Sequence, residues 1–221
     1  MGTDNVVREV TVAVVDDHEV VLAGVQAWID ADPQRRLRLV GHGVRVDSVL
    51  AGPGRRADVL VLDLGIFGES MMSRIGVLAE ERRVVAFSAE TSDATIRAVL
   101  DAGATAYLTK HEGPEHFIAV VAAAAQDRPY VTPSVARALL ADESPTRPML
   151  SAQEQRALKL WFQHPKKHTV ARDMGLSVET VDQYISRARV KYATVGRPAP
   201  NKAAMVARAI EDGLIRPEDV R

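Results

Sequence analysis

No cysteine occurs among the 221 residues. That removes disulfide bridging, thiolate catalysis and cysteine-ligated zinc together, and it suits a cytoplasmic protein. A membrane-spanning stretch is missing too. The longest uncharged apolar run, Phe117 to Gln126, is about half the ~20 residues that a membrane helix requires. The N-terminus mixes acids with valines and lacks the basic-then-apolar order of a secretory signal. No internal repeat or low-complexity tract stands out. What remains is 47% hydrophobic and 26% charged, a composition that fits one large globular domain or two modest ones.

The net charge of −1 hides an asymmetry. Residues 1–145 carry 14 Lys+Arg against 21 Asp+Glu, net −7, whereas residues 146–221 carry 14 against 8, net +6. An acidic part joined to a basic part points to two domains with different partners, and the basic one is a candidate for nucleic acid.

In the acidic part, strand-like and helix-like segments alternate. Strands are expected at Val10–Val15, Leu37–Val40, Val59–Leu62, Val84–Phe87 and Thr105–Leu108. Between and after them lie helical patterns: Val21, Val25, Trp28 and Ile29 on one face, a short helix at Asp47–Leu50, and longer ones over Glu69–Glu80, Ser92–Ala102 and Pro114–Gln126. Five β-α units with such apolar strands argue for a parallel sheet covered on both faces. Arg128 to Leu140 reads as helical again. The two prolines of "ADESPTRPML" mark Ala141–Leu150 as a linker. Beyond it the chain is helical. Ser151 and Glu154 have capping-box spacing, and helices are expected over Lys167–Met174, Val178–Tyr192 and Asn201–Asp212.

In an open parallel sheet, ligands bind beyond the carboxyl ends of the strands. The first strand ends on Asp16-Asp17, the third on Asp63 and the fourth on Ser88, while Lys110 follows the fifth. Each alone has a plainer reading as a turn, cap or solvated residue. Together they bring three carboxylates, a hydroxyl and an ammonium to one edge. Clustered carboxylates repel unless a cation neutralises them. Oxygen-only ligands with an open position suit Mg²⁺ and a phosphate. With Mg²⁺ present, Asp63 can serve as a carboxylate nucleophile towards phosphorus, and Ser88 and Lys110 can hold the phosphoryl oxygens.

The stretches "VAVVDDHEVVLAGV", "VLVLDL", "VVAFSAE" and "AYLTKHEGPEHF" resemble the receiver domain of bacterial response regulators. The resemblance implies that Asp16, Asp17 and Asp63 hold Mg²⁺ together with the backbone carbonyl of Gly65. It also implies that a histidine kinase phosphorylates Asp63, that Ser88 and Lys110 sense the phosphoryl group, and that Tyr107 is the aromatic switch residue. Tyr107 equally reads as a half-buried strand tyrosine. The loop Gly65-Ile66-Phe67-Gly68 departs from the family, which usually has a proline after the phosphoacceptor.

In the basic part, "VARDMGLSVETVDQYISRARVKY" places Val170, Ala171, Met174, Leu176, Val181, Ile185 and Ala188 at core spacing around a glycine turn, a helix-turn-helix pattern. Its second helix presents Glu179, Thr180, Asp182, Gln183 and Ser186, with Arg187, Arg189 and Lys191 towards the end. Base edges call for directional hydrogen bonds and phosphates call for charge, so these residues are the candidate contacts to double-stranded DNA. A small helical bundle with a solvated basic face is the plainer reading. The segment resembles the LuxR-type helix-turn-helix of the NarL/FixJ subfamily. It departs at Asp182, where lysine is frequent, at Tyr184, where histidine is frequent, and in the long connection "VGRPAPN" before the last helix.

The two resemblances imply an α/β plus all-α architecture. A flavodoxin-like, doubly wound five-stranded parallel sheet of order 2-1-3-4-5 forms a receiver over residues 8–127. A linker region at 128–149 precedes a four-helix LuxR-type domain at 150–221. A homodimer is expected, with Ala204, Val206, Ala207 and Ile210 of the last helix as its contact. His164 and His168 lack a third metal ligand, and His18 reads as a loop residue. The leading function is a DNA-binding transcription factor controlled by a histidine kinase. Two alternatives stand beside it: a receiver that serves as a phosphorylation-independent dimerisation or interaction module, and a metal-dependent phosphatase with Asp63 as nucleophile. Nothing in the sequence supplies a substrate pocket or a dedicated general acid for such a phosphatase.

Overall fold

A computed structural model describes residues 9–141 and 146–220. Strands β1 (Val10–Val15), β2 (Leu37–Gly43), β3 (Val59–Leu62), β6 (Arg83–Ser88) and β7 (Ala106–Thr109) form one parallel sheet in the order β2-β1-β3-β6-β7. With the small hairpin β4 (Gly65–Ile66) and β5 (Glu69–Ser70) set aside, this is the expected 2-1-3-4-5 order. Alternate side chains point to opposite faces. Val12, Val14, Val59, Val61, Val85 and Phe87 pack under α1 (Glu19–Asp30) and α5 (Gly113–Ala125). Ala13, Val15, Leu60, Leu62, Val84 and Ala86 pack under α2 (Val46–Ala51), α3 (Met72–Glu81) and α4 (Asp93–Asp101). Both faces of the central strands are buried, which is why β3 is apolar at every position and the edge strand β2, with Arg38 and His42, is not.

Helix α3 is shorter than its sequence pattern predicts. The chain after Asp63 first makes a hairpin, β4 (Gly65–Ile66) paired antiparallel with β5 (Glu69–Ser70). Its two central residues, Phe67 and Gly68, have φ of 51° and 77°, the backbone that a two-residue hairpin turn requires. Glycine adopts it freely, but phenylalanine does so at a cost.

After α5 come α6 (Pro133–Leu140), which falls within the expected linker region, and then α7 (Ala152–Gln163), α8 (Lys167–Met174), α9 (Val178–Thr194) and α10 (Lys202–Glu211). Residues 142–145 of that region lie outside the described residues. The Ser151–Glu154 capping box is formed at the start of α7. Helix α8 ends at Gly175, whose φ of +69° lets Leu176 N–H reach Ala171 O at 2.9 Å and turns the chain into α9.

The two halves do not have separate cores. The apolar cluster under α3 and α4 runs on through α6 into α7–α10. Residues Ala204 to Glu211 of α10 are all buried. Arg208 Nη2 reaches Asp101 Oδ1 on α4 at 2.6 Å, and Asn201 Nδ2 donates to Gly103 O at 2.6 Å. Ala204, Val206, Ala207 and Ile210, the expected dimer contact, are at most 3% exposed. They are covered within the same chain because α10 packs against both α4 and α6.

Candidate functional site

The acidic pocket sits where β1 and β3 stop. Asp63 is held in place by its N–H, which donates to Val15 O at 2.9 Å, and its Oδ1 accepts from Leu64 N–H at 2.8 Å. Lys110 comes in from β7. Its Nζ lies 2.7 Å from Asp16 Oδ2 and 3.1 Å from Asp63 Oδ2. One ammonium thus serves two buried carboxylates. Burial pushes the Asp63 carboxyl up from its ordinary value, against the pull of Lys110. Burial would lower Lys110, but Asp16 and Asp63 outweigh it and hold the ammonium above its ordinary value.

Asp17 lies at the mouth. Phe67 N–H, at the hairpin turn, donates to Asp17 Oδ2 at 2.7 Å and is the main reason the carboxyl sits below its ordinary value. This bond offsets part of the cost of the positive φ at Phe67. Carboxylate oxygens of Asp16, Asp17 and Asp63 and a His18 ring nitrogen lie within 4.8 Å of one another. Asp16 Oδ2 and Asp17 Oδ1 are buried, and the groups beside them are Lys110 Nζ at 2.7 Å and His18 Nδ1 at 2.9 Å. A cluster of carboxylate oxygens this rich in negative charge fits a hard divalent cation. Gly65, the expected carbonyl ligand, pairs with Ser70 in the hairpin next to this cluster.

Ser88 ends β6. Its Oγ accepts from Glu90 N–H at 3.2 Å, and its carbonyl accepts from Lys110 N–H at 2.8 Å. Tyr107 is fully buried, and its hydroxyl donates to Glu90 O at 2.6 Å. Burial pushes its phenol up to about 12. The half-buried position expected for it is therefore corrected: α4 and α6 cover it. The structure brings Lys110 into direct contact with Asp16 and Asp63 and places an Asp17 carboxylate oxygen within 4.8 Å of theirs, with Ser88 and Tyr107 bonded to the neighbouring loop.

On α9 the candidate contacts divide. Glu179, Gln183, Ser186 and Arg187 are exposed. Thr180 is half-buried, and its N–H donates to the capping Ser177 Oγ at 3.2 Å. Asp182 is ion-paired with Lys167 of α8. Arg189 lines a cleft with Glu80, Asp101 and Asn201 rather than the outer face. Lys191 binds Glu154 Oε2 at 2.7 Å and Met149 O at 3.0 Å. Asp182 and Lys191 are thus engaged by side chains of the same chain, Lys167 and Glu154, and Arg189 by the cleft, so contact of these three with DNA would require them to exchange those partners. Lys167 was missed; the run Lys166-Lys167-His168 was its only signal in the sequence. The long connection before α10 also has a role. Arg197 within it reaches Asp212 Oδ1 and Glu211 Oε2, both at 2.6 Å, and anchors the end of α10.

Residues 12–122 match the response regulator receiver domain. The chain is 30% identical over 182 residues to the transcriptional regulatory protein UhpA of Salmonella typhimurium, covering 82% of this chain and 89% of that one. It is 28% identical over 216 residues to the DNA-binding transcriptional activator DevR/DosR of Mycobacterium tuberculosis, covering 91% and 95%. The crystal structure of the response regulator ChrA, from a heme-sensing two-component system, superposes with a TM-score of 0.50 at 26% identity, covering 94% and 99%.

Proposed function

This chain belongs to the two-component response regulators of the NarL/FixJ type, and from that premise we propose that it is a DNA-binding transcription factor switched by phosphorylation of Asp63. The observation that carries the proposal is the single Lys110 ammonium set between Asp16 and Asp63 at the edge of the sheet. Asp16, Asp17 and Asp63, with the Gly65 carbonyl, would hold Mg²⁺. When bound, the ion would neutralise charge on the phosphoryl oxygens.

The protein's own groups do the rest. A carboxylate oxygen of Asp63 attacks phosphorus, the bond from phosphorus to the donor histidine nitrogen breaks, and the histidine leaves with that electron pair. Lys110 loses one carboxylate partner as Asp63 becomes an acyl phosphate, and its ammonium is then free to pair with a phosphoryl oxygen. Ser88 Oγ sits on the adjacent strand end as a further donor. No helix among the described residues is long and apolar enough to cross a membrane. The partners of this reading are a cognate histidine kinase, duplex DNA and a second copy of the chain, and the protein turns over no substrate of its own.

Glu179, Gln183, Ser186 and Arg187 form the open face of α9 and would enter the major groove, with N-terminal residues nearest the bases. Intact mass after incubation with a small phosphodonor and Mg²⁺ tests the switch. One phosphate per chain is expected, lost in Asp63→Asn and without the metal. A phosphate-independent interaction module is the competing reading, and the hairpin favours it by tying Asp17 to Phe67 N–H. Wild type that stays unmodified by donor and kinases alike would establish that competing reading.

A further inference from the structure

Ser88 and Lys110 lie on two different loops, and both loops are bonded to the same helix. Glu112 follows Lys110 by two residues. Its Oε2 accepts from the N–H and hydroxyl of Thr109 at 2.9 and 3.1 Å, while Oε1 accepts from Ser134 N–H at 3.0 Å. Ser134 is the second residue of α6, so Glu112 satisfies an amide that the helix cannot satisfy itself and sits at the positive end of its dipole. The adjoining residue supplies the ordinary cap, Thr132 Oγ1 accepting from Val135 N–H at 3.3 Å. Glu112 adds a second one from 22 positions away, on the loop that carries Lys110.

The second grip is Arg137, one turn along α6. Its guanidinium donates to Thr91 O at 2.8 Å and to Asp93 Oδ1 at 3.1 Å. That loop begins at Ser88, and Glu90 within it accepts from the Tyr107 hydroxyl. On its other side α6 meets α10: Val135 and Leu139 border a small cavity with Tyr107, Val206 and Ala207. The helix therefore touches both loops of the pocket and the helix whose apolar face is hidden.

We propose that α6 reads the state of the acidic pocket through Glu112 and Arg137 and passes it to α10. This rests on the phosphorylation reading above. Movement of Ser88 and Lys110 towards a phosphoryl group shifts the two anchor points of α6. A close-packed contact with Val206 and Ala207 answers such a shift by repacking rather than by stretching. The α9 reading face is already open, so the step under control is the release of α10 for a second copy, not access to the bases. Glu112 and Arg137 are positioning residues in this scheme and touch no phosphate.

Linkage supplies the test. If the pocket and α10 are coupled, loosening α10 must tighten the pocket by the same factor. Beryllium fluoride with Mg²⁺ is the probe, titrated into the full chain and followed by ¹⁹F NMR. Arg208→Ala, or Asp101→Ala as a second variant from the receiver side, breaks the α10–α4 ion pair far from Asp63. Either should tighten beryllofluoride binding about fivefold or more, the lower end of measured couplings. In a Glu112→Ala, Arg137→Ala background that gain should fall within about twofold, and Arg137→Lys in place of Arg137→Ala should recover part of it. A merely structural role for the pair leaves the two effects multiplicative. That result, in protein that takes up phosphate normally, overturns the coupling alone. Wild type that takes up neither phosphate nor beryllofluoride removes the phosphorylation reading, and the coupling with it.

Discussion

Lys110→Met is the most informative single substitution. The Lys110 side chain is 16% exposed, and its partners Asp16 and Asp63 are 1% and 6% exposed. Removing one member of a buried ion pair costs about 3–5 kcal/mol, because the remaining charge is left without a counter-ion. Two features reduce that here. Asp63 keeps the Leu64 N–H and Asp16 keeps the His18 N–H, and the pocket mouth admits a solvent cation. A net loss of about 2–3 kcal/mol follows, which for a chain of this length lowers Tm by about 4–12 °C. Differential scanning fluorimetry in chelator and at fixed Mg²⁺ measures it. Because Lys110 competes with the metal for the same carboxylates, the same Mg²⁺ concentration should raise the Tm of the variant more than that of wild type. Saturation at a hundredfold over Kd contributes about 2.7 kcal/mol. Adding Asp16→Asn removes one of the two opposed charges and should recover part of the loss in chelator. A variant that melts with wild type in chelator, or that responds no more strongly to Mg²⁺, would refute this account of the pocket.

Other outcomes follow from the same structure. Burial would raise Glu154, but Lys191 and Ser151 outweigh it and hold its carboxyl below the ordinary value of 4.5. Its contribution to stability is therefore full above that value and is lost as pH falls through the lower folded one; urea midpoints of wild type and Glu154→Gln should converge in acid. Residues 146–221 alone expose the α10 face that α4 and α6 cover, so this fragment should dimerise more readily than the full chain in sedimentation equilibrium. Its binding to duplex DNA should fall with salt by about 0.9 log units per log unit of salt for each phosphate neutralised, and a flat dependence would exclude phosphate contacts. Gln183→Ala should relax preference at one base position per half-site by about 1–3 kcal/mol with the salt slope unchanged, as a lost bidentate contact to adenine would; equal losses on specific and scrambled duplexes would reject that contact. Asp182→Asn frees Lys167 and should steepen the slope by up to one phosphate.

Much of this molecule is local in origin. The strands are legible because a sheet buried on both faces favours runs of apolar residues, and Val59–Leu62 is such a run without interruption. The Ser151 and Ser177 caps, the Gly175 turn and the bounds of α8 are written in a few neighbouring residues. The acidic pocket is legible one step further on, since parallel topology carries Asp16, Asp63 and Ser88 to the same edge once the strand ends are known. Periodicity likewise showed that α10 has an apolar face, but a moment along a helix is silent about what will cover it. Only the tertiary structure decided that α4 and α6 of the same chain do so. The hairpin at Phe67 depends on an acceptor, Asp17, that lies 50 residues earlier, and Lys191 is withdrawn from the outer face by Glu154, 37 residues away. The cap that Glu112 provides for α6 is of the same kind. Contacts like these join residues with no mutual signal along the chain, because their partners are chosen by the packing of elements and not by the elements themselves.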